Sequence, residues 1–395
     1  MFSEHYWDQH AEVEDTLRAQ GPAHRVALPN GVPAWVITGY EAARTVLTHP
    51  AVSKDSARLE RVMTAAMRRA GHHEAELSGM FRGMLFADPP HHKRLREPVA
   101  KAFTPRRIAA LRPRVEQITN DLLDALPTNA PVDLVSEFAF ELPVTVICEL
   151  MGVPVSDREP FRAWTADLME DHPDVVGPAN DAMAAYFAEL IATKRRTPGH
   201  DLLSALATSS EATDGLTDDE LIGTCFLLFV AGHETTTNLI GNAVHATLRH
   251  PTAWSELAAD TSLAAGAVRE TLRHDSPVRM ATHRITIEPM TIQGTTIPAD
   301  EVVLVSLGAA NRDPAYYPCP TEFDLHRDDT APQLSFGHGL HYCLGAALGR
   351  MEAEIALSRL PSRFPRSLPT DEHPLRRSRS VIMNGPEQLG VILRR

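Results

Sequence analysis

Apolar residues at helical spacing dominate this chain, and the longest such run extends from Thr217 to about His250. Thr217-Asp218-Asp219-Glu220 reads as a capping box, in which Thr217 and Glu220 satisfy each other's end of the first turn. A helix of that length covers on the order of 50 Å. Its stretch Phe226-Leu227-Leu228-Phe229-Val230 is apolar on every side, which predicts burial. Leu142 to Pro154 predicts an amphipathic helix closed by Gly152 and Pro154. The β-type runs are shorter. His24 to Leu28 and Ala34 to Thr38 flank Pro29-Asn30-Gly31 and predict a hairpin, and Thr286 to Val305 predicts strands with turns at Gln293-Gly294 and Pro298-Ala299-Asp300. The fold class expected is mainly α with a minor β region. Two segments interrupt the pattern. Leu77 to Ala87 is apolar and punctuated by glycine, and Asp171 to Asn180, rich in Pro, Gly and Asp, fits either a lid between helices or a surface turn.

With 43% hydrophobic and 23% charged residues, the composition is that of an ordinary soluble globular protein. The net charge of -13 argues against nucleic-acid binding, which needs an excess of Lys and Arg. Cys148, Cys225, Cys319 and Cys343 are scattered without disulfide spacing, which fits a reducing compartment; Cys148 and Cys225 read as packing and Cys319 as incidental. The polar N-terminus has no signal core, and no window approaches the roughly 20 apolar residues of a membrane span. A cytoplasmic monomer without a membrane partner is expected.

Two stretches carry candidate chemistry. Phe336-Gly337-His338-Gly339-Leu340-His341-Tyr342-Cys343-Leu344-Gly345 precedes a helical run from Ala346 to Leu357. Its glycines let the backbone take positive φ and pass close to a flat ligand. Cys343 then stands where a helix begins, and the orphan N–H groups and dipole there favour a thiolate. Such a sulfur suits a single metal centre, with haem iron the leading candidate; a buried structural cysteine is the plainer alternative. The second stretch, His233-Glu234-Thr235-Thr236-Thr237, lies inside the apolar long helix, where unpartnered polar groups cost several kcal/mol. Ala231 and Gly232 are small enough for a diatomic ligand to approach, and a local break in the helix would admit water. Thr235 can hydrogen-bond dioxygen and Glu234 can relay protons, whereas Thr236 and Thr237 read as a polar stripe facing another helix.

Weaker signals flank these. Pro89-Pro90 reads as a helix start, which places His92 and Arg96 at i and i+4 on one face. Glu270-Thr271-Leu272-Arg273 sets opposite charges on one helix face. Alone, either is a solvated charged face. Together with the cysteine loop they acquire a common meaning. Phe336, Gly339, Cys343 and Gly345 stand at the spacing F-x-x-G-x-x-x-C-x-G and resemble the haem-thiolate signature of the cytochrome P450 family. Asp88 to Arg96 is similar to that family's D-P-P-x-H-x-R-L-R, Ala231 to Thr235 to its A-G-x-[D/E]-T, and Glu270 to Arg273 to its E-x-x-R. Asn311-Arg312-Asp313-Pro314 and Phe323 to Arg327 also resemble family segments. The likeness runs from the first hairpin to about Leu360, with Asp300 standing where Gly is usual and Gly349 where Ala is usual.

The resemblance implies a single P450 domain over residues 1–395, with haem b between the long helix and the cysteine loop. It makes Cys343 the axial iron ligand, frames the haem with Ala231, Phe336, Gly337 and Gly345, and gives the propionates to His92, Arg96, Arg284 and His341. Glu270, Arg273 and Arg327 become a triad bracing the cysteine loop, and Glu234 and Thr235 the proton-delivering pair. Candidate pocket walls are Met80, Met84, Leu85, Phe86, Leu228, Ala231, Val278, Met280 and Ala281, with Arg279 an ordinary surface arginine. The function implied is a monooxygenase that inserts one oxygen atom of O2 into a C–H bond of a hydrophobic small molecule. It is similar to soluble actinobacterial hydroxylases that tailor macrolides and other secondary metabolites. Arg94, Lys101, Arg106, Arg107, Arg112 and Arg114 would form a basic face for an acidic ferredoxin, itself reduced by a ferredoxin reductase. Two rivals stand beside this reading. A haem-thiolate peroxygenase would use peroxide and not need the Glu234 and Thr235 pair; a non-enzymatic haem sensor leaves the buried Glu234 unexplained.

Overall fold

In the computed structural model the expected hairpin forms between Ala23–Ala27 and Pro33–Ile37, antiparallel, with Ala23 opposite Ile37. The structure describes residues 1–71, 83–169, 173–209, 215–328 and 332–395. The chain divides into two compact units. The first comprises Met1–Val52, Ala110–Pro143 and Glu234–Arg395, and the second Ser53–Ala109 and Val144–His233.

A sheet organises the first unit. Pro33–Ile37 pairs in parallel with Val302–Ser306, which pairs antiparallel with Met280–Thr286. Branched residues crowd these strands because they pack well on a pleated surface. Ile37, Val303 and Val305 accordingly join Val46, Leu307 and Ala281 in one core. A bulge between Ala281 and Arg284 shifts the register, the device by which strands re-aim a side chain. Met290–Ile292 and Thr295–Ile297 form a second hairpin across Gln293 and Gly294, at φ +46° and +90°, as a two-residue turn with both central residues left-handed requires. Asp300 sits at φ +57°, which explains the usual glycine there; Asp is among the few side chains that tolerate that conformation. Helices Ala264–His274 and Ala346–Arg363 belong to this unit as well.

The second unit is helical. The expected stop after the helix Glu141–Met151 is present: Gly152 adopts φ +69°, and Val153 N donates to Cys148 O at 2.8 Å, a Schellman closure. Helices Glu159–Met169 and Pro173–Arg196 share an aromatic cluster with the long helix, with ring centroids 5.7 Å apart for Phe161 and Phe187 and 4.3 Å for Phe161 and Phe229. The stretch read as a lid or a turn is mostly helix. The described helix Pro173–Arg196 runs through Gly177 and Pro178, and Asp171 and His172 lie outside the described residues.

The long helix spans Asp218–Arg249, 32 residues. Its capping box forms as read: Thr217 N donates to Glu220 Oε2 at 2.9 Å, and Glu220 N to Thr217 Oγ1 at 3.3 Å. Residues through His233 belong to the second unit and those from Glu234 to the first. Among the described residues, no helix is long and apolar enough to cross a membrane.

Candidate functional site

The cysteine loop lies in the first unit. Gly337 and Gly339 both take φ +74°, where an L side chain is strained by about 1–2 kcal/mol. At Gly339 a Cβ would also come within 2.5 Å of the Thr48 side chain. Backbone bonds fix the loop: Gly337 N donates to Leu334 O at 2.7 Å, and Cys343 N to Phe336 O at 2.9 Å. Arg350 stands 4.6 Å over the Phe336 ring and donates to Tyr342 Oη at 3.1 Å, clamping the loop from the following helix. That helix starts at Ala346 with Gly345 as its cap, so Cys343 precedes the cap and does not sit in the first turn, as the sequence had implied. Its thiol is exposed, and His341 lies in the short turn Gly339–His341.

Arg284 follows the bulge and is buried. Its Nη1 donates to Thr282 O at 2.7 Å, burial lowers its pKa to about 10, and among the described residues no carboxylate pairs with it. A buried cation without a counter-charge is costly, and a haem propionate would neutralise it. An accessible thiol on a backbone-held loop, with this guanidinium in the same unit, fits haem b as donor chemistry.

The Glu270 triad forms, but it grips a different segment. Arg273 Nε and Nη2 meet the Glu270 carboxylate at 2.8 and 2.6 Å, and Arg327 Nε lies 3.1 Å from both oxygens. The remaining donors of the two arginines reach the carbonyls of Pro318, Cys319, Pro320 and Glu322, so the triad organises residues 318–327. Asn311 carries the link to the cysteine loop. Its carbonyl accepts from Arg273 Nη1 at 3.4 Å, its Oδ1 accepts from Leu334 N at 2.6 Å, and its Nδ2 donates to Ser335 Oγ at 2.8 Å. Asn311 stands in a segment that resembles the family's, but its partners lie 23 to 39 positions away and no local window reveals this link.

On the long helix, Phe226 to Val230 are buried while Ala231 is exposed. Gly232 has a packing reason: a Cβ there would come within 3.0 Å of Ile147. His233 is buried, its Nδ1 donates to Phe229 O at 2.7 Å, and burial lowers its pKa to about 4. Burial raises the pKa of Glu234; Asn238 Nδ2, donating to Oε1 at 3.4 Å, partly offsets this, and the Glu387 charge adds to it. Thr235 is half-buried beside it. Thr236 faces the helix Ala346–Arg363, and a Cβ on Gly349 would lie 3.2 Å from Thr236 Oγ1, so the hydroxyl takes the space an alanine methyl would need.

The second unit holds the other candidates. His92 is buried, and its pKa falls to about 4, through burial first and then Arg96 and Lys54. Asp88 pins the start of its helix, accepting from Ser53 Oγ at 2.5 Å and Lys54 N at 3.0 Å. Met84 and Phe86 are buried and Leu85 is half-buried in a short turn; Leu228 is buried as well. Met80 lies outside the described residues. Arg94 leaves the surface patch, since Nη1 meets Glu220 Oε2 at 3.0 Å and Gly215 O at 3.1 Å. Lys101, Arg106 and Arg107 are exposed, as are Arg112 and Arg114 of the first unit.

Back in the first unit, Met280 and Ala281 are buried and Val278 half-buried, with Ala281 in the sheet core. Arg279 is a correction: only 1% exposed, it donates to Asn384 Oδ1 at 3.1 Å and lies 5.5 Å from the rings of Tyr6 and Trp7. Its apolar stem and stacked aromatics make burial tolerable, which a local sequence window does not reveal.

Glu352 also escaped notice. It is buried on the Ala346–Arg363 helix, its Oε2 has no partner among the described residues, and burial raises its pKa to about 8. Below the unfolded carboxyl value of about 4.3 both states are protonated, so no cost arises. Above it the unfolded chain releases a proton that the folded chain keeps, and stability falls until the pH passes about 8. Glu352→Gln is therefore expected to raise the melting temperature at pH 8 and leave it unchanged at pH 4. A variant that melts with the wild type at both pH values would remove the buried-acid assignment.

Comparison with known proteins bears on all these features. The family model described as Cytochrome P450 matches residues 153–393. Cytochrome P450 107B1 of Saccharopolyspora erythraea is 47% identical, covering 94% of this chain and 92% of its own. The cytochrome P450 monooxygenase PikC of Streptomyces venezuelae is 46% identical, over 88% of this chain and 82% of its own. Among solved structures, the tirandamycin C-bound P450 monooxygenase TamI superposes with a TM-score of 0.92 at 42% identity, covering 99% of both chains.

Proposed function

The chain belongs to the cytochrome P450 family, monooxygenases that carry haem b, and from that premise we propose that it hydroxylates a hydrophobic secondary metabolite with electrons from a ferredoxin. When bound, haem b supplies the iron at which dioxygen takes up two electrons and two protons, one oxygen atom entering a C–H bond and the other leaving as water. Cys343 Sγ, as thiolate, holds that iron, and Arg284 and His341 hold propionates. Glu234 keeps a proton at its carboxyl, and the Thr235 hydroxyl passes it on.

Glu234 carries the reading. A carboxyl whose pKa burial raises, next to a half-buried threonine, is suited to hold a proton and release it on demand. The tirandamycin C bound to the similar P450 monooxygenase TamI supports a secondary metabolite as substrate. The exposed Lys101, Arg106 and Arg107 on a chain of net charge -13 support an acidic donor.

Glu234→Gln is expected to slow product formation by about a hundredfold when reduced ferredoxin and O2 drive the reaction, since general acid catalysis is typically worth at least that much. Turnover with peroxide serves as the comparison. A variant that keeps the wild-type rate with ferredoxin and O2 would sink the proton-delivery role, and a wild type that works only with peroxide would establish the peroxygenase instead.

A further inference from the structure

Arg279, in the first unit, is a buried guanidinium that no carboxylate pairs with among the described residues. Its Nη2 donates to Asn384 Oδ1 at 3.1 Å and to Ser378 O at 3.5 Å, while Nε and Nη1 have no hydrogen-bond partner among the described residues. Ser378 and Asn384 are the two ends of a loop, whose base is closed by the bond from Ser378 N to Gly385 O at 3.0 Å. The guanidinium therefore ties that loop across its neck. The backbone takes part as well: Arg279 N donates to Ile382 O at 2.9 Å, and Val278 pairs with Met383 in an isolated antiparallel bridge. Successive side chains on an extended chain point to opposite sides, so the half-buried Val278 and Met383 share the face turned away from the guanidinium.

What keeps the guanidinium in place comes from the other end of the sequence. Its central carbon lies 5.5 Å from the ring centroids of both Tyr6 and Trp7. Phe2 backs that pair at 4.9 and 5.8 Å, and Glu4 meets Arg379, inside the same loop, at 2.9 Å. Gln9, at φ −132° and ψ 39°, breaks helical geometry within Glu4–Gln20 and sets residues 4–8 off as a separate turn. A buried cation without a counter-charge is costly, and two ring faces lower that cost. Without them the long side chain swings its charge toward water and lets go of the loop. Asn384 is held a second time, by Asp275 Oδ1 at 2.7 Å and Pro277 O at 2.9 Å, so the loop loosens on an intact fold.

We propose that Arg279 is a positioning residue for substrate binding: clamped by Tyr6 and Trp7, it fixes the loop 378–384 and with it the apolar wall formed by Val278 and Met383. This rests on the reading of Val278 as a wall of the pocket for a hydrophobic substrate. The N-terminal turn thereby sets how tightly a bulky apolar ligand is gripped, without touching that ligand. The clamp takes no part in the chemical step, so its loss falls on KM and leaves kcat alone.

The test uses the ferric holoenzyme and two azoles that ligate iron through a ring nitrogen: clotrimazole, bulky and apolar, and imidazole, too small to reach the pocket walls. Both are titrated by the shift of the Soret band. Trp7→Leu and Arg279→Met are expected to weaken clotrimazole about tenfold, within what a desolvated cation–π contact supplies, and to leave imidazole unchanged. Trp7→Phe, which restores a ring, is expected to restore clotrimazole binding. Val278→Ala probes the wall itself and is expected to weaken clotrimazole as well. If it does so while Trp7→Leu and Arg279→Met bind clotrimazole like the wild type, or lose both azoles equally, the positioning role is overturned and the wall stands. If Val278→Ala binds both azoles like the wild type, the pocket reading falls and this one with it.

Discussion

Glu270→Ala is expected to cost about 3–5 kcal/mol of folding stability and to yield protein that loses haem during purification. The magnitude follows from what the alanine leaves behind. Glu270 and Arg273 are 2% and 0% exposed, and the carboxylate is the counter-charge for Arg273 and Arg327 at once. It also accepts from Asp324 N at 3.0 Å. Removing it strands a buried guanidinium and frees residues 318–327, whose carbonyls those arginines hold. Because Arg273 also touches Asn311, and Asn311 fixes Leu334 and Ser335 at the head of the cysteine loop, the damage reaches that loop through one intermediary. Thermal unfolding and the haem-to-protein absorbance ratio measure the two effects separately. A variant with wild-type haem content would refute the bracing role.

The second large effect is chemical and leaves the fold alone. Cys343→Ser keeps the backbone bond from residue 343 to Phe336 O, at 2.9 Å in the native loop, and keeps the Arg350 clamp on Phe336 and Tyr342. Melting should therefore stay within about 0.5 kcal/mol of wild type in the haem-free protein, as for an exposed substitution. Hydroxylation should be abolished, because a serine hydroxyl does not ionise in the range where a thiol does and cannot donate electron density as a thiolate. Residual hydroxylation at more than a trace would show that another residue ligates the iron.

What the sequence revealed and what it hid divide along physical lines. The capping box, the glycine stop at Gly152 and the hairpin turns depend on residues within a few positions of one another, and they formed as read. The triad was legible as a motif because Glu270 and Arg273 lie one helical turn apart, yet its true grip on residues 318–327 depends on a chain crossing no local window contains. Gly232, Gly349 and Arg279 were misread or undervalued for the same reason. Gly232 meets Ile147, Gly349 makes room for Thr236, and Arg279 lies under Tyr6 and Trp7, partners remote in sequence. Glu352 was missed because burial of one carboxylate among charged neighbours on a helix leaves no mark on the pattern. The described helix Pro173–Arg196 runs on through Gly177 and Pro178, and Phe187, farther along it, meets Phe161 of another helix, a partner no local window contains.

Thiolate ligation of haem iron by Cys343 is read from the carbon monoxide difference spectrum of the reduced wild-type protein. The expected result is the strongly red-shifted Soret band of a thiolate-ligated haem, absent from Cys343→Ser. A reduced carbonyl complex with an unshifted Soret band, of the kind a histidine ligand gives, would contradict it.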